Sequence, residues 1–369
     1  MRFVLSFISI FLFIQNGFSQ DSDCWPSFRG NPQQMGTTSV EIPDALSLLW
    51  TFKTDDEIKS SPIICGKTAY IASGDGYVYA LNDEGKLKWK FNTETAIEAP
   101  PLLLDETIYV GSLEGILFAL DASSGDELWR YTTDGQISGS ATYAWDKKRK
   151  ANTIMLGSYD FRLHAVDAQS GDSLWKYESD NYINGAVATD GQTAVFGGCD
   201  GHLHFVDVNT GQLVHKIEVG TYIASSAAIA AKMLFVGDYD GGFYGISLEE
   251  NKIAWTHEKA GEILGSPAVK GNKVIIGTRS KNVFCFDTTS GEVLWKFKAL
   301  GKVESSPVIA GDKVLIAAGD GRLYLLALDS GEELWAYEIG SPLFASPAVV
   351  EGLILVAALN GEVYAFGWE

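Results

Sequence analysis

The side chains able to do chemistry in this 369-residue chain are four cysteines, five histidines and a series of acidic turn residues. Cys24, Cys65, Cys199 and Cys285 show no C-x-x-C spacing and no adjacent pair, so neither a zinc knuckle nor a vicinal disulfide is written into the sequence. His202 and His204 share one face of a strand and offer two zinc ligands, with no third partner evident. Asp75-Gly76, Asp200-Gly201, Asp240-Gly241 and Asp320-Gly321 carry carboxylates that would suit Ca²⁺, yet a tight hairpin demands the same dipeptides without any metal. No Ser-His-Asp or paired-carboxylate set can be placed, because its members would have to come from different units of a repeating chain. The expectation is a protein with no catalytic residue, no cofactor ligand and no metal ligand.

The elements that must position any site are set by a period. Trp50, Trp89, Trp129, Trp175, Trp255, Trp295 and Trp335 are separated by 39, 40, 46, 80, 40 and 40 residues, with His215 at the place the 80-residue gap skips. A fixed period near 40 marks a repeat architecture. Each unit holds four short β-branched or aromatic runs bounded by turn residues, as in Ile97–Leu102, Thr107–Gly111, Gly115–Asp121 and Ser124–Trp129. In five units Asp75-Gly76, Asp200-Gly201, Asp240-Gly241, Asp320-Gly321 or Asn360-Gly361 joins the second run to the third and supplies the positive φ of a two-residue hairpin. No sustained 3.6-residue period occurs beyond the first twenty residues. Four-stranded units around an axis are propeller blades. The last unit stops after its third strand at Tyr364-Ala365-Phe366, and the missing fourth stands at the other end as Leu46-Ser47-Leu48-Leu49-Trp50. The sequence predicts an all-β, eight-bladed propeller closed three-plus-one by residues 46–52, which hides the edges an open ring would expose.

The repeated Ala-x-Asp-x-x-Ser/Thr-Gly-x-x-x-Trp, as in Ala119 to Trp129 and Ala165 to Trp175, and with Cys for Ala in Cys285 to Trp295, resembles the pyrroloquinoline-quinone-like (PQQ-like) propeller family. Trp25-Pro26-Ser27-Phe28-Arg29-Gly30 resembles a lead-in of its exported members. The resemblance implies that Gly and Trp lock neighbouring blades together. It also implies one of two branches, quinone-dependent dehydrogenases or non-catalytic propellers such as the accessory lipoprotein of the outer-membrane β-barrel assembly machinery. The dehydrogenases sandwich a planar tricarboxylate quinone between a Trp and an adjacent-Cys disulfide, with Ca²⁺ and a carboxylate base. This sequence has no adjacent Cys pair and none of the long inserted loops that build such a pocket, so it sits closer to the non-catalytic branch.

Composition bounds the partner. With 28 Lys+Arg against 47 Asp+Glu the formal charge is −19, which argues against nucleic acid or an anionic membrane. Arg2, the apolar run Phe3 to Ile14 and small residues before Gln20 describe a secretory signal cleaved after Ser19. The run is too short for a membrane span, and Asp21-Ser22-Asp23 before Cys24 lacks the small apolar residues of a lipoprotein signal. The expected organisation is 1–19 signal, 20–44 lead-in and 45–369 propeller, in a soluble, monomeric, periplasmic or secreted protein. Export permits disulfides, and at most a Cys24–Cys65 bridge is geometrically reasonable, although sequence does not fix connectivity.

Counting from the column Trp, or from His215, separates structural columns from free ones. Position +8 is uniformly apolar, from Ile58 to Leu343, and position +10 uniformly small, from Ser60 to Ala345. On an innermost strand the two share the face that crowds at the axis. Position +9 points the other way and is mixed: Lys59, Glu98, Ser138, Asn184, Ala224, Leu264, Glu304 and Phe344. Position +7 is mixed too: Glu57, Ala96, Gln136, Tyr182, Tyr222, Glu262, Lys302 and Pro342. These columns should ring the channel mouth, with Tyr182, Asn184 and Tyr222 as an aromatic patch able to grip a peptide or sugar. Blade three is longer by Trp145-Asp146-Lys147-Lys148-Arg149-Lys150, a cationic hairpin tip on the opposite face and a second place for an acidic partner to dock. His164 and His204 stand in a column of Tyr and Phe and should pack as aromatics. The function expected is an exported, non-enzymatic scaffold binding a protein, small ligand or glycan at the channel mouth. The alternatives are a PQQ-dependent sugar or alcohol oxidoreductase and an accessory of extracellular polysaccharide degradation.

Overall fold

The computed structural model describes residues 22–368; the signal segment lies outside them. Eight four-stranded antiparallel sheets form the ring, seven of four consecutive strands and one closed by an N-terminal strand, and two of the eight are extended by a short strand of the lead-in. The second and third strands of each blade are buried along nearly their whole length, whereas the fourth alternates toward solvent, so the core lies between blades. The closing blade joins Ser47–Lys53 to Glu362–Gly367, with Trp50 opposite Ala365. The predicted eight-bladed, three-plus-one closure is the observed one.

Neighbouring blades are locked by the Trp column. Trp50, Trp89, Trp129, Trp175, Trp255 and Trp295 each donate Nε1–H to a backbone carbonyl of the next blade at 2.8–3.2 Å. The glycine four residues before the next column position lies flat on each indole. A Cβ at Gly85, Gly125, Gly171, Gly211, Gly291 or Gly331 would fall 2.5–2.6 Å from ring carbons. His215 instead stacks on Phe205 at 4.0 Å and leaves its Nε2 buried without a partner. The glycine facing it is replaced by Asn251, held at φ 52°.

The turn acids carry a second duty that hairpin chemistry does not require. Tyr79 donates to Asp75 and Tyr324 to Asp320, each at 2.7 Å, while the Nε2 atoms of His164 and His204 sit 2.9 and 2.8 Å from Asp160 and Asp200. Both histidines are fully buried, and Tyr131 and Tyr177 engage their Nδ1 atoms, each at 2.9 Å. They therefore pack in the aromatic column as expected. Where the column holds Phe118 or Phe284, the turn has Glu114 or Ser280 in place of Asp.

Three features differ from the sequence expectation or add to it. The first strand begins later than predicted, at Leu102 rather than Ile97 in blade two, so positions +7 to +11 form an extended segment outside the sheet. The reason is that the +8 N–H is used elsewhere: in all eight blades it donates to a carbonyl at the turn of the preceding blade at 3.0–3.5 Å. The alternation survives, with Ile58 and Ser60 buried around an exposed Lys59. Second, the Cys24–Cys65 bridge is formed, between Cys24–Trp25 and the first strand of blade one. Third, the lead-in is a plug. Its carbonyls at Ser22, Asp23, Pro26, Pro32, Gln33, Met35, Gly36 and Thr38 accept N–H groups of Glu351, Gly66, Leu103, Thr189, Ile229, Val269, Ile309 and Gly311. One turn of chain thus runs around the inner strands at the end opposite the mouth, touching every blade but the third in this way.

Blade three's extra residues form the tip between Thr142–Asp146 and Ala151–Gly157. Arg149 is structural, bonded to Asp146, Asp167 and Thr153, while Lys147, Lys148 and Lys150 are exposed beside the half-exposed Trp145. Among the described residues, this tip therefore has one paired cation, Arg149, and three without an ion-pair partner.

Candidate functional site at the channel mouth

All eight +9 side chains line one well on the axis, a cavity of about 180 Å³ with Phe28 of the lead-in in its wall. The columns sort as the alternation requires: +8 packs outward and +9 faces the well. Ile137 shows why +8 is fixed. A Cβ on Gly111 of the preceding blade would lie 2.2 Å from its Cγ2, so this residue fills a slot that tolerates neither a polar group nor a bulkier neighbour.

Two charged clusters flank the well. Lys59 Nζ lies 2.7 Å from Glu57 and 3.0 Å from Glu98, whose hydrogen bonds raise the lysine pKa. Across the ring, Arg279 reaches Glu262 at 2.7 Å and Glu304 at 2.8 Å, and Lys302 meets Glu304 at 3.0 Å while lying 5.6 Å over the Phe344 ring. Every cation of these clusters is paired.

Between the clusters runs an aromatic row. Tyr182, 43% exposed, packs 5.0 Å from Tyr159 and 4.9 Å from Phe161. Asn184 donates to the Tyr222 hydroxyl and to Cys199 Sγ, and Tyr222 packs 5.6 Å from Tyr239, which accepts from Arg279. Burial pushes the Tyr222 phenol up to about 12 and raises the Cys199 thiol, so neither ionises at neutral pH. The structure thus joins Asn184 to Tyr222 directly, while Tyr182 stands in a neighbouring aromatic triad.

Besides Phe161, four of these groups were not placed at the mouth from sequence: Tyr159, Cys199, Tyr239 and Arg279. They occupy one further column, 24 residues after the column Trp in every regular blade, which reads Gly74, Leu113, Tyr159, Cys199, Tyr239, Arg279, Gly319 and Leu359. Each donates its backbone N–H to the +7 carbonyl of its own blade at 2.7–3.2 Å, which sets its side chain beside the +7 side chain. This column is as mixed as +9, and that signal was available in the sequence.

A row of aromatic faces, paired charges and amide groups around a blind well can bind a polypeptide loop or another partly apolar surface. Comparison with known proteins bears on which. No curated protein matches the chain by sequence. Among solved structures, BamB from Moraxella catarrhalis superposes with a TM-score of 0.77 at 20% identity, over 88% of this chain and 100% of that one. The quinohemoprotein alcohol dehydrogenase from Comamonas testosteroni gives 0.80 at 13% identity, over 95% and 81%. The computationally designed Ika8 protein gives 0.77 at 16% identity, over 88% and 100%. At these identities the likeness is one of fold. A family model, by contrast, matches residues 43–181, 159–267 and 260–367, nearly the whole ring, and the chain belongs to that PQQ-like repeat family, described as outer membrane protein assembly factor BamB.

Proposed function

We propose that the protein is an exported, non-catalytic scaffold of the assembly-factor type, which binds a protein partner across the channel mouth of blades three to seven. The observation that carries the reading is the exposed Tyr182 triad, continuous through Asn184 and Tyr222 with the Arg279 cluster on one rim. Exposed aromatics beside arginine are the side chains that dominate protein interfaces. Export rests on the Met1–Gln20 pattern and agrees with the Cys24–Cys65 bridge, which an oxidising compartment permits. In this reading the domains are a signal over 1–19, a lead-in segment over 20–44 and the propeller over 45–369.

The dehydrogenase alternative draws on fold alone, and the residues present do not fit a quinone. Its three carboxylates would need free cations at the mouth, but Lys59, Lys302 and Arg279 are committed to Glu57, Glu98, Glu262 and Glu304. The disulfide lies at the plugged end, joining the lead-in to blade one, and not beside the well.

The test is site-specific photo-crosslinking in the cell envelope. A crosslinker at position 182 should give one discrete adduct, identifiable as an outer-membrane assembly component. Position 128, exposed on an outer strand, should give none. Tyr182→Ala should abolish the adduct formed from a crosslinker at position 239 and leave the melting temperature within about 1 °C, as expected for an exposed side chain. Equal crosslinking at 182 and 128 would sink the reading.

A further inference from the structure

The plugged end of the channel holds a set of donors that nothing among the described residues satisfies. Arg29 is 1% exposed. Its Nη2 donates to the Pro267 carbonyl at 2.8 Å, but Nε and Nη1 are buried without a partner. Among the described residues no carboxylate pairs with it, and burial alone lowers its pKa, to about 9, so the guanidinium remains charged at neutral pH. A buried, uncompensated cation is among the costliest features a fold can carry.

The well itself is lined by a second donor set. Ser226, Ser266, Ser306, Ser346 and Ser61 each accept, through Oγ, the N–H of the residue one blade back, at 2.8–3.0 Å. All five are more than nine-tenths buried and line the well. With each oxygen already accepting, the hydroxyl proton is left to donate, and no side chain or carbonyl of the described residues takes it. The two sets are linked through the chain, since Pro267, whose carbonyl anchors Arg29, is the residue after Ser266. Gly36 makes the arrangement possible, because a Cβ there would fall 1.8 Å from Nη2. The carboxylates of the well, Glu98 and Glu304, are already balanced by Lys59, Arg279 and Lys302.

One buried positive charge one residue's reach from an arc of hydroxyl donors, with no acid among the described residues to match it, calls for an acceptor-only ligand. We propose that the floor of the channel is a binding site for a small monovalent anion of halide size, held by the Arg29 guanidinium and the serine hydroxyls. The anion supplies the counter-charge that the described residues lack and ties the lead-in to the ring. The site is independent of the partner surface at the rim.

Bromide is the probe. Crystals of the mature native chain grown in bromide should show one anomalous peak on the axis, within hydrogen-bond reach of Arg29 and of at least one serine of the arc. In solution, the melting temperature should rise by about 3 °C between 1 and 100 mM bromide, against gluconate at matched ionic strength. Arg29→Met should lose that dependence. If this variant does not fold, the native crystal decides alone. A water in place of the peak, or a melting temperature indifferent to bromide, would overturn the site.

Discussion

The exchange of Trp for His at position 215 and of Gly for Asn at 251 makes a quantitative test of what holds the blades together. In the regular seams an indole lies on a glycine whose Cβ would come within 2.5–2.6 Å of it, and its N–H bonds the next blade. His215→Trp alone should therefore drive the indole into Asn251 and destabilise the ring by about 1–3 kcal/mol, the usual cost of overpacking. Asn251→Gly alone relieves a non-glycine residue at φ 52° and should stabilise by about 0.5–1 kcal/mol. The double variant recreates the regular seam. It should gain about 1 kcal/mol from an indole hydrogen bond and a further 1–2 kcal/mol from aromatic burial. The coupling between the two sites is then roughly 3 kcal/mol in favour of the pair, well outside the ~0.5 kcal/mol scatter of independent mutations. Guanidinium unfolding of the four proteins, followed by circular dichroism, measures it. If His215→Trp is as stable alone as in the double variant, glycine is not what admits the indole and the locking argument fails.

The remaining perturbations each probe one other contact. Cys24→Ser with Cys65→Ser opens a loop of sequence separation 41 and should cost up to about 4 kcal/mol of stability by loop entropy, with earlier proteolysis at the N-terminus as the readout. His164 has its pKa lowered from 6.5 by burial, so it folds neutral and the unfolded chain binds the extra proton. Stability should be fully present above pH 6.5 and fall as the pH drops below it. His164→Tyr, which can donate to Asp160 as Tyr79 does to Asp75, should make the melting temperature flatter between pH 5 and 7. An unchanged slope would place the acid sensitivity in His215 or His257, whose pKa values burial also lowers.

The ring itself was legible because its rules repeat. A glycine under each indole, an Ile at +8 and an acid in the turn recur often enough to be read by counting, and the chain ends gave the closure. The free column at +9 was legible for the opposite reason, since it obeyed no packing rule. The strand boundary was misjudged because pattern reports which side a residue faces and not which backbone its N–H finds. The alternation around Lys59 is that of a strand, yet the Ile58 N–H goes to Ala358 in the preceding blade. The plug was illegible because Ser22 to Thr38 holds the ring through carbonyls, which any residue owns. Arg29 gave no sign in the sequence that it would be buried.

An eightfold ring offers eight equivalent faces, so a specific site must come from where the equivalence fails, and the failures cluster. The serine chain is interrupted at Pro100, which has no N–H, and at Ala186, which has no hydroxyl. The lead-in leaves blade three unbonded. The same blade carries the longer hairpin, and His215 replaces the docking Trp between blades four and five. The exposed Tyr182 triad sits on the seam between blades three and four, within this arc, and the Asn184–Tyr222 contact on the next. Blades five, six, seven, eight and one, by contrast, keep an unbroken serine chain from Ser226 to Ser61. Relaxed seams tolerate the repacking that a partner imposes, and regular ones resist it. The proposed partner surface centred on Tyr182 thus lies where the ring can yield, and the proposed anion site where it cannot.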